Sequence, residues 1–297
     1  MSIQKWLAGN AEHLGGKTVA VTGSTGGLGK ELCRYLAELG ADLILLDRNM
    51  DRSMAHKAAL LQVRAQAKIE CLPLDLSDIR SVCAATKELQ QRPVDLFIHN
   101  AGAYKIPRGM CNGGYDSIFQ INFASPYYMI RTLLPHLQSR GGRVVAVGSV
   151  AHTYSHIDEK DVDFATREAC SKAYGNAKRY LMFGLHELMK THGGVPLAIV
   201  HPGITVTGIT THYPKPIYAI IKYPMKVIFM KPKKAALSLL RGVFEDTAYC
   251  EWIGPRFFDV WGYPRKRLLT SCDANERQSI ARICDEVYRQ TEISLVK

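Results

Sequence analysis

The stretch KTVAV, starting at Lys17, runs straight into Thr22-Gly-Ser-Thr-Gly-Gly-Leu-Gly29 and then into KELCRYLAELG. A short apolar strand, a glycine-dense turn and a helix in immediate succession leave few folds open, because the chain must reverse sharply and pack the helix closely on the strand. Glycines 23, 27 and 29 permit the tight turn, the approach of backbone to a pyrophosphate and the helix–strand contact. The helix N-terminus that follows offers free N–H groups to phosphate oxygens. The spacing GxxxGxG departs from the GxGxxG fingerprint, and a plain turn between strand and helix is the alternative reading.

The rest of the chain extends the same pattern. Thr18 to Thr22, Leu43 to Leu46, Ile69 to Leu74, Leu96 to His99, Val144 to Val147 and Leu197 to Val200 read as strands separated by amphipathic segments long enough for crossover helices. Parallel neighbours cannot be joined by tight turns, so the expected architecture is α/β: a Rossmann-type, doubly wound parallel sheet of about seven strands with helices on both faces. No repeat and no linker divides the chain, which predicts a single domain over residues 1–297. Within it, residues 204–234 read as a substrate-binding lid and residues 262–297 as a C-terminal helical extension. Lys233 to Phe244 and Asn275 to Thr291 read as helices, Glu251 to Gly254 as a last short strand, and Ile3, Trp6 and Leu7 as one face of a short outer helix.

Charge and cysteine usage narrow the function classes. Thirty-eight basic against 27 acidic residues give +11, yet six lysines lie between Pro214 and Lys234 with no acid, so part of the excess is local, and no nucleic-acid-reading motif accompanies it. No nucleic-acid partner is expected. The eight cysteines form no CxxC or Cys/His cluster, which gives no support to a metal site or a disulfide framework and suits a reducing compartment. The start lacks a secretory pattern, and no window approaches a spanning helix, so a cytoplasmic location is expected. Apolar residues interleaved with lysines over 204–234 also describe an interfacial segment on an anionic bilayer, so peripheral membrane contact is a second expectation.

Three side-chain placements carry chemistry. Asp47 ends the second strand, where a carboxylate can accept from an adenosine ribose and repel a 2′-phosphate; Arg48 next to it can instead pair with that phosphate, so the dipeptide favours NAD while leaving NADP open. Tyr174 and Lys178 stand one helical turn apart, so an ammonium near the phenol would lower its pKa towards neutral pH. Pro126 lacks an N–H, so a helix through INFASPYYMIRTLL leaves the carbonyl of Asn122 without its usual partner and kinks there.

Taken together, TGSTGGLG at 22, DLSD at 75, NAG at 100, INFASPYY around Asn122, VGSVAH around Ser149, YGNAK at 174 and HPGITVT at 201 resemble the short-chain dehydrogenase/reductase superfamily, most closely its retinol dehydrogenase-like and hydroxysteroid dehydrogenase-like branches. The similarity spans residue 16 to about 260. It implies that Tyr174 is the catalytic acid/base, that Lys178 holds the nicotinamide ribose, that Ser149 bonds the substrate oxygen and that Asn122 supports a proton-relay water. It implies a cofactor cradle of Gly23, Ser24, Thr25, Gly26, Gly27, Leu28 and Gly29, of Asp47 and Arg48, and of Asp75 and Leu76 at the adenine. Asn100, Ala101 and Gly102 would lie under the cofactor, and Pro202, Gly203, Thr205 and Thr207 at the carboxamide. Departures are His99 in place of the first Asn of NNAG, Ala177 in place of a frequent Ser, and Gly148 before Ser149.

What the resemblance implies is hydride transfer between an alcohol and a ketone or aldehyde, with NAD preferred or NADP, and no metal. The aromatic and aliphatic run beyond Gly203 favours a lipophilic substrate, steroid-, retinoid- or lipid-like, and Ala151, Tyr213 and Tyr218 are candidates to touch it. An NADPH-dependent carbonyl reductase of small or xenobiotic carbonyls is the alternative, and a non-catalytic dinucleotide sensor is the alternative of another class. A homodimer could form through the helices carrying Asn122 and Tyr174, unless the C-terminal segment covers them.

Overall fold

The computed structural model describes residues 1–167, 169–204, 230–269 and 272–296. Helix α1 (Ile3–Asn10) precedes a β-α alternation: β1 (Thr18–Thr22), α2 (Gly27–Glu38), β2 (Asp42–Asp47), α3 (Met50–Val63), β3 (Ile69–Pro73), α4 (Ile79–Gln90) and β4 (Leu96–His99). A π-helical turn (Gln120–Ala124) leads into α5 (Ser125–Ser139), followed by β5 (Arg143–Val147), a 3-10 turn (Val150–Tyr154), α6 (Cys170–Thr191) and β6 (Leu197–Val200). The chain ends with α7 (Pro232–Phe244), β7 (Glu251–Phe257), β8 (Trp261–Leu268) and α8 (Ala274–Val296).

The strands form one sheet in the order β3-β2-β1-β4-β5-β6-β7-β8, parallel through β7. β4 and β6 are buried along their whole length, because helices cover both faces of the sheet. On one side Phe97, Val144 and Ala146 pack with Phe119 and Phe123, which precede α5, and with Tyr180 and Phe183 of α6. On the other, Val19, Val21, Ile98 and Val145 pack with Leu32, Leu36, Leu237 and Leu240 of α2 and α7. Local chemistry sets the helix starts: Asn49 accepts from the Arg52 N–H at 2.9 Å to open α3, and Asp78 accepts from the Arg80 N–H at 3.0 Å to open α4.

The expectation of seven strands and a helical segment over 262–297 is corrected at β8. Trp261–Leu268 pairs antiparallel with β7, and the helix begins only at Ala274. Pro264 and three cations argue against a strand when read along the sequence, yet these are the residues an edge strand tolerates, since its outer side needs no partner. Of the 204–234 segment, residues 205–229 lie outside the described part, so its expected roles as a lid and as a lysine-rich bilayer contact fall there. No helix among the described residues is long and apolar enough to cross a membrane.

Helix α8 lies over α4, α5 and α6, on the helices whose surface the sequence left open either to a homodimer or to the C-terminal segment. Arg179, 6% exposed at its side chain, gives Glu276 two hydrogen bonds of 2.5 Å and donates to the His152 carbonyl at 2.9 Å. Tyr288 stacks on Tyr128 at 5.5 Å, Arg131 pairs with Asp285, and a side chain at Gly184 would lie 2.5 Å from Cys284 Sγ. Removing one partner of a nearly buried ion pair leaves the other uncompensated, so Glu276→Ala should lower stability by on the order of 2–4 kcal/mol. Urea unfolding checks this, and an unchanged midpoint would show that the Arg179–Glu276 pair does not hold α8 in place.

Candidate active site

Every strand from β1 to β6 ends on the same edge of the sheet, and Gly23, Asp47, Asp75, Asn100, Ser149 and Pro202 lie at or just beyond those ends. Gly23 follows β1, Gly26 is the N-cap of α2, and Gly29 sits in its first turn. A side chain at Gly29 would come within 2.2 Å of the Gly23 carbonyl, so the loop can fold back on the helix only without one. No side chain caps α2, which leaves its first N–H groups free to meet a phosphate. Asn100, after β4, ties the neighbouring strand end down by donating to the carbonyls of Thr22 at 3.1 Å and Gly23 at 3.0 Å.

Asp47 is engaged within the protein. It is 3% exposed, and its carboxylate accepts from the hydroxyls of Ser24 (2.5 Å), Thr25 (3.0 Å) and Ser53 (2.9 Å) and from the Thr25 N–H (3.0 Å). The sequence basis for an NAD preference is therefore weakened, because a ribose hydroxyl would have to compete with four internal donors. Arg48 beside it is exposed, and Arg52 reaches the Thr25 carbonyl at 3.4 Å. Asp75 accepts from the N–H and hydroxyl of Ser77 at 2.9 and 2.6 Å, and Leu76 is buried with its carbonyl accepting from Ser125 at 2.7 Å.

Asn122 is fully buried in the π-helical turn. Pro126 brings no N–H back to the carbonyl of Asn122, and the helix is widened over this stretch, with Ser125 bonding the Gln120 carbonyl five residues earlier. The Asn122 side chain is a strut: it donates to the carbonyls of Ala103 and Ile118, both at 2.8 Å, and accepts from the Ala103 N–H at 3.1 Å. It thereby holds the loop after β4 against the π-helical turn; a side chain at Gly102 in that loop would lie 2.9 Å from Asn122 Oδ1 and 3.7 Å from Lys178 Nζ.

Ser149 caps the 3-10 turn, accepting from the Ala151 N–H at 3.2 Å, and its hydroxyl acts on the Tyr174 phenol, favouring the phenolate. Tyr174 and Lys178 share one face of α6, with Lys178 Nζ 5.8 Å from the Tyr174 ring centroid. Lys178 is 2% exposed and donates to the Val147 carbonyl at 2.9 Å. Burial pushes its amine down to about 7. Burial likewise pushes the Tyr174 phenol up to about 12, with Ser149 pulling it back and Tyr154 and Tyr104 adding to the rise. In the protein alone, burial of the phenol outweighs the expected lowering of Tyr174 by Lys178.

The structure brings Ser149, Tyr174, Lys178 and Asn122 to one end of the sheet, with Pro202 and Gly203 following β6. Ala151 is 1% exposed with its carbonyl packed where a side chain at Gly175 would be, so it offers a substrate little surface. Thr205, Thr207, Tyr213 and Tyr218 lie outside the described residues. Sequence reasoning missed Tyr104, whose ring meets Tyr174 edge-on at 5.1 Å, and Tyr154, which stands half exposed near it. Tyr104 lies two residues past the NAG motif, which was the signal available. No group of metal-ligating side chains occurs among the described residues.

Comparison with known proteins matches residues 17–216 to the family model described as short chain dehydrogenase. The chain is 32% identical over 218 residues to the short-chain dehydrogenase TIC 32 A, chloroplastic, of Brassica napus, covering 68% of this chain and 67% of that one. It is 30% identical over 221 residues to retinol dehydrogenase 12 of Mus musculus, covering 70% and 69%. A solved structure from Mycobacterium paratuberculosis shares the fold with a TM-score of 0.72 at 24% identity, over 97% of this chain and 96% of that one.

A lysine forced towards neutrality destabilises the fold while it is charged. Its unfolded value is the ordinary 10.5 and its folded value about 7, so stability rises with pH between the two and the burial penalty is full below 7. Lys178→Met should therefore stabilise the protein by on the order of 2–4 kcal/mol below pH 7, with the gain gone above about pH 10.5. Melting temperatures of both forms across that range test it, and a gain independent of pH would refute the assignment.

Proposed function

Because the chain belongs to the short-chain dehydrogenase family, oxidoreductases that act between alcohols and carbonyls with NAD or NADP, we propose that it interconverts a lipophilic alcohol and its ketone or aldehyde through Tyr174, Ser149, Lys178 and Asn122. The observation that carries this reading is the Tyr174 ring 5.8 Å from the buried amine of Lys178, which the Val147 carbonyl at the end of the strand leading to Ser149 holds in place. When bound, the dinucleotide supplies or accepts the hydride. Its phosphates fit the uncapped start of α2 and the glycine loop that admits no side chain.

Tyr174 gives the hydroxyl proton to the product alcohol, or takes it in the reverse direction, at its Oη. Ser149 Oγ donates to the substrate oxygen as negative charge develops there. Lys178 has N–H groups beyond the one held by Val147, and hydroxyl acceptors placed against them favour the charged amine, which in turn lowers the phenol. Asn122 acts through its grip on Ala103, which sets the floor on which Gly102 lies. Support for a lipophilic substrate comes from the aromatic surroundings of Tyr174, from the apolar sequence beyond Gly203 and from the similarity to a retinol dehydrogenase.

For the cofactor, the internal use of Asp47 and the exposure of Arg48 support the 2′-phosphorylated form, so the reading here is NADP over NAD. Arg48→Ala should weaken NADPH binding by about tenfold or more, with NADH changed much less. Fluorescence titration of the two nucleotides measures this, and equal losses would return the selectivity to Asp47.

Tyr174→Phe should lower turnover by at least about 100-fold over a panel of hydroxysteroids, retinoids and aliphatic alcohols, with cofactor affinity retained. Turnover preserved in that variant would remove Tyr174 from the chemistry. Tight nucleotide binding with no turnover of any member by the native chain would favour the sensor reading instead.

A further inference from the structure

The hairpin joining β7 to β8 carries a feature that the redox site does not use. At its turn Phe258 and Asp259 adopt left-handed backbone, with φ of 52° and 55°. Such positions favour Gly, Asn or Asp, and a bulky aromatic there is disfavoured by its own Cβ. Phe258 is also 81% exposed, so neither local conformation nor packing accounts for a ring at this place.

It is not an isolated ring. Phe257, 52% exposed, faces Trp261, 41% exposed, directly across the ladder, and Phe258 meets Trp261 edge-on at 6.4 Å. Ile204 adds a further exposed apolar side chain at the end of β6. The hairpin abuts that end, because a side chain at Gly203 would lie 2.8 Å from the Val260 carbonyl, and Gly203 takes the φ of +81° that this approach needs. The aromatic tip therefore adjoins the mouth of the candidate site.

Charge around the tip has one sign. Arg256 and Arg265 are exposed and form no ion pair among the described residues, while the acid of the turn, Asp259, is paired with Arg267 at 2.9 Å. The chain as a whole carries +11, and from Pro214 to Lys234 it has six lysines and no acid. Exposed rings at a turn, flanked by unpaired guanidinium groups, match the boundary of an anionic bilayer, where rings enter the headgroup layer and cations stay at its surface. A surface fitted to a protein partner would call for carboxylates in register with those arginines, whereas a lipid surface supplies negative charge without register.

We propose that the β7–β8 tip, through Phe257, Phe258, Trp261 and Arg256, seats this protein on an anionic lipid surface with the mouth beside Gly203 turned towards it. This deepens the reading of a lipophilic substrate, which would then enter from the bilayer, but the contact itself does not rest on that reading.

The test is sedimentation of the intact chain with vesicles of phosphatidylcholine alone or with about 30 mol% phosphatidylserine. The native chain should pellet with the anionic vesicles at low salt and be released at high salt. Phe258→Ser with Trp261→Ser should weaken partitioning on the order of tenfold, and Arg256→Gln should weaken it on anionic vesicles alone. Nucleotide binding, unchanged in these variants, reports that they are folded. The proposal is overturned if the native chain stays in solution with both vesicles or if the double variant partitions equally. It is also overturned if the native chain self-associates without lipid and the double variant abolishes this. No turnover is measured, so either result leaves the oxidoreductase reading to be judged separately.

Discussion

A parallel sheet forces direction on everything else in this molecule. With β1 to β7 pointing one way, all the loops that leave strand C-termini gather along one edge, and the loops at the opposite edge serve only to bring the chain back. Residues as distant in sequence as Gly23, Asn100, Ser149 and Gly203 become neighbours along that edge without any dedicated contact to draw them together. The side chains then do local work. Asp47 gathers the glycine loop and the start of α3, Asn100 ties two strand ends, and Asn122 fixes the loop above them.

The site is held at a thermodynamic cost. Lys178 sits among backbone and apolar atoms with a midpoint of about 7, and Tyr174 is pushed up to about 12 by the same exclusion of water. Neither group is at ease in the protein alone, and each is of use only when acceptors and donors from outside complete its surroundings. The two perturbations run in opposite directions, so a change that restores the charge of the amine also makes the phenol a better acid. Tyr104 packs edge-on against the phenol at 5.1 Å.

Much of the fold was legible because period and punctuation agree over most of the chain. Thr18 to Thr22, Leu96 to His99 and Leu197 to Val200 are bounded in the structure where their apolar runs end. What escaped was β8, since an edge strand is built from residues that a central strand excludes, and only the pairing partner reveals it. At the site, spacing indicated Tyr174 and Lys178 and the family resemblance indicated Ser149, but the direction of the Asp47 carboxylate depends on Ser24, Thr25 and Ser53, whose hydroxyls could as well have faced solvent. Burial also outweighed the simple charge argument for Tyr174, because proximity to an amine says nothing about how far the phenol itself is removed from water.

Helix α8 has a consequence beyond its ion pairs. The outer faces of α5 and α6 are apolar over much of their length, and such faces are commonly closed by another subunit. Here the same chain supplies the cover, through Tyr288 on Tyr128, Cys284 against Gly184 and Glu276 on Arg179. An intramolecular cover is present at a fixed effective concentration however dilute the protein becomes. The helices that carry Asn122 and Tyr174 are therefore supported in the same way at one molecule per cell as in a concentrated solution, and their order does not wait on an encounter.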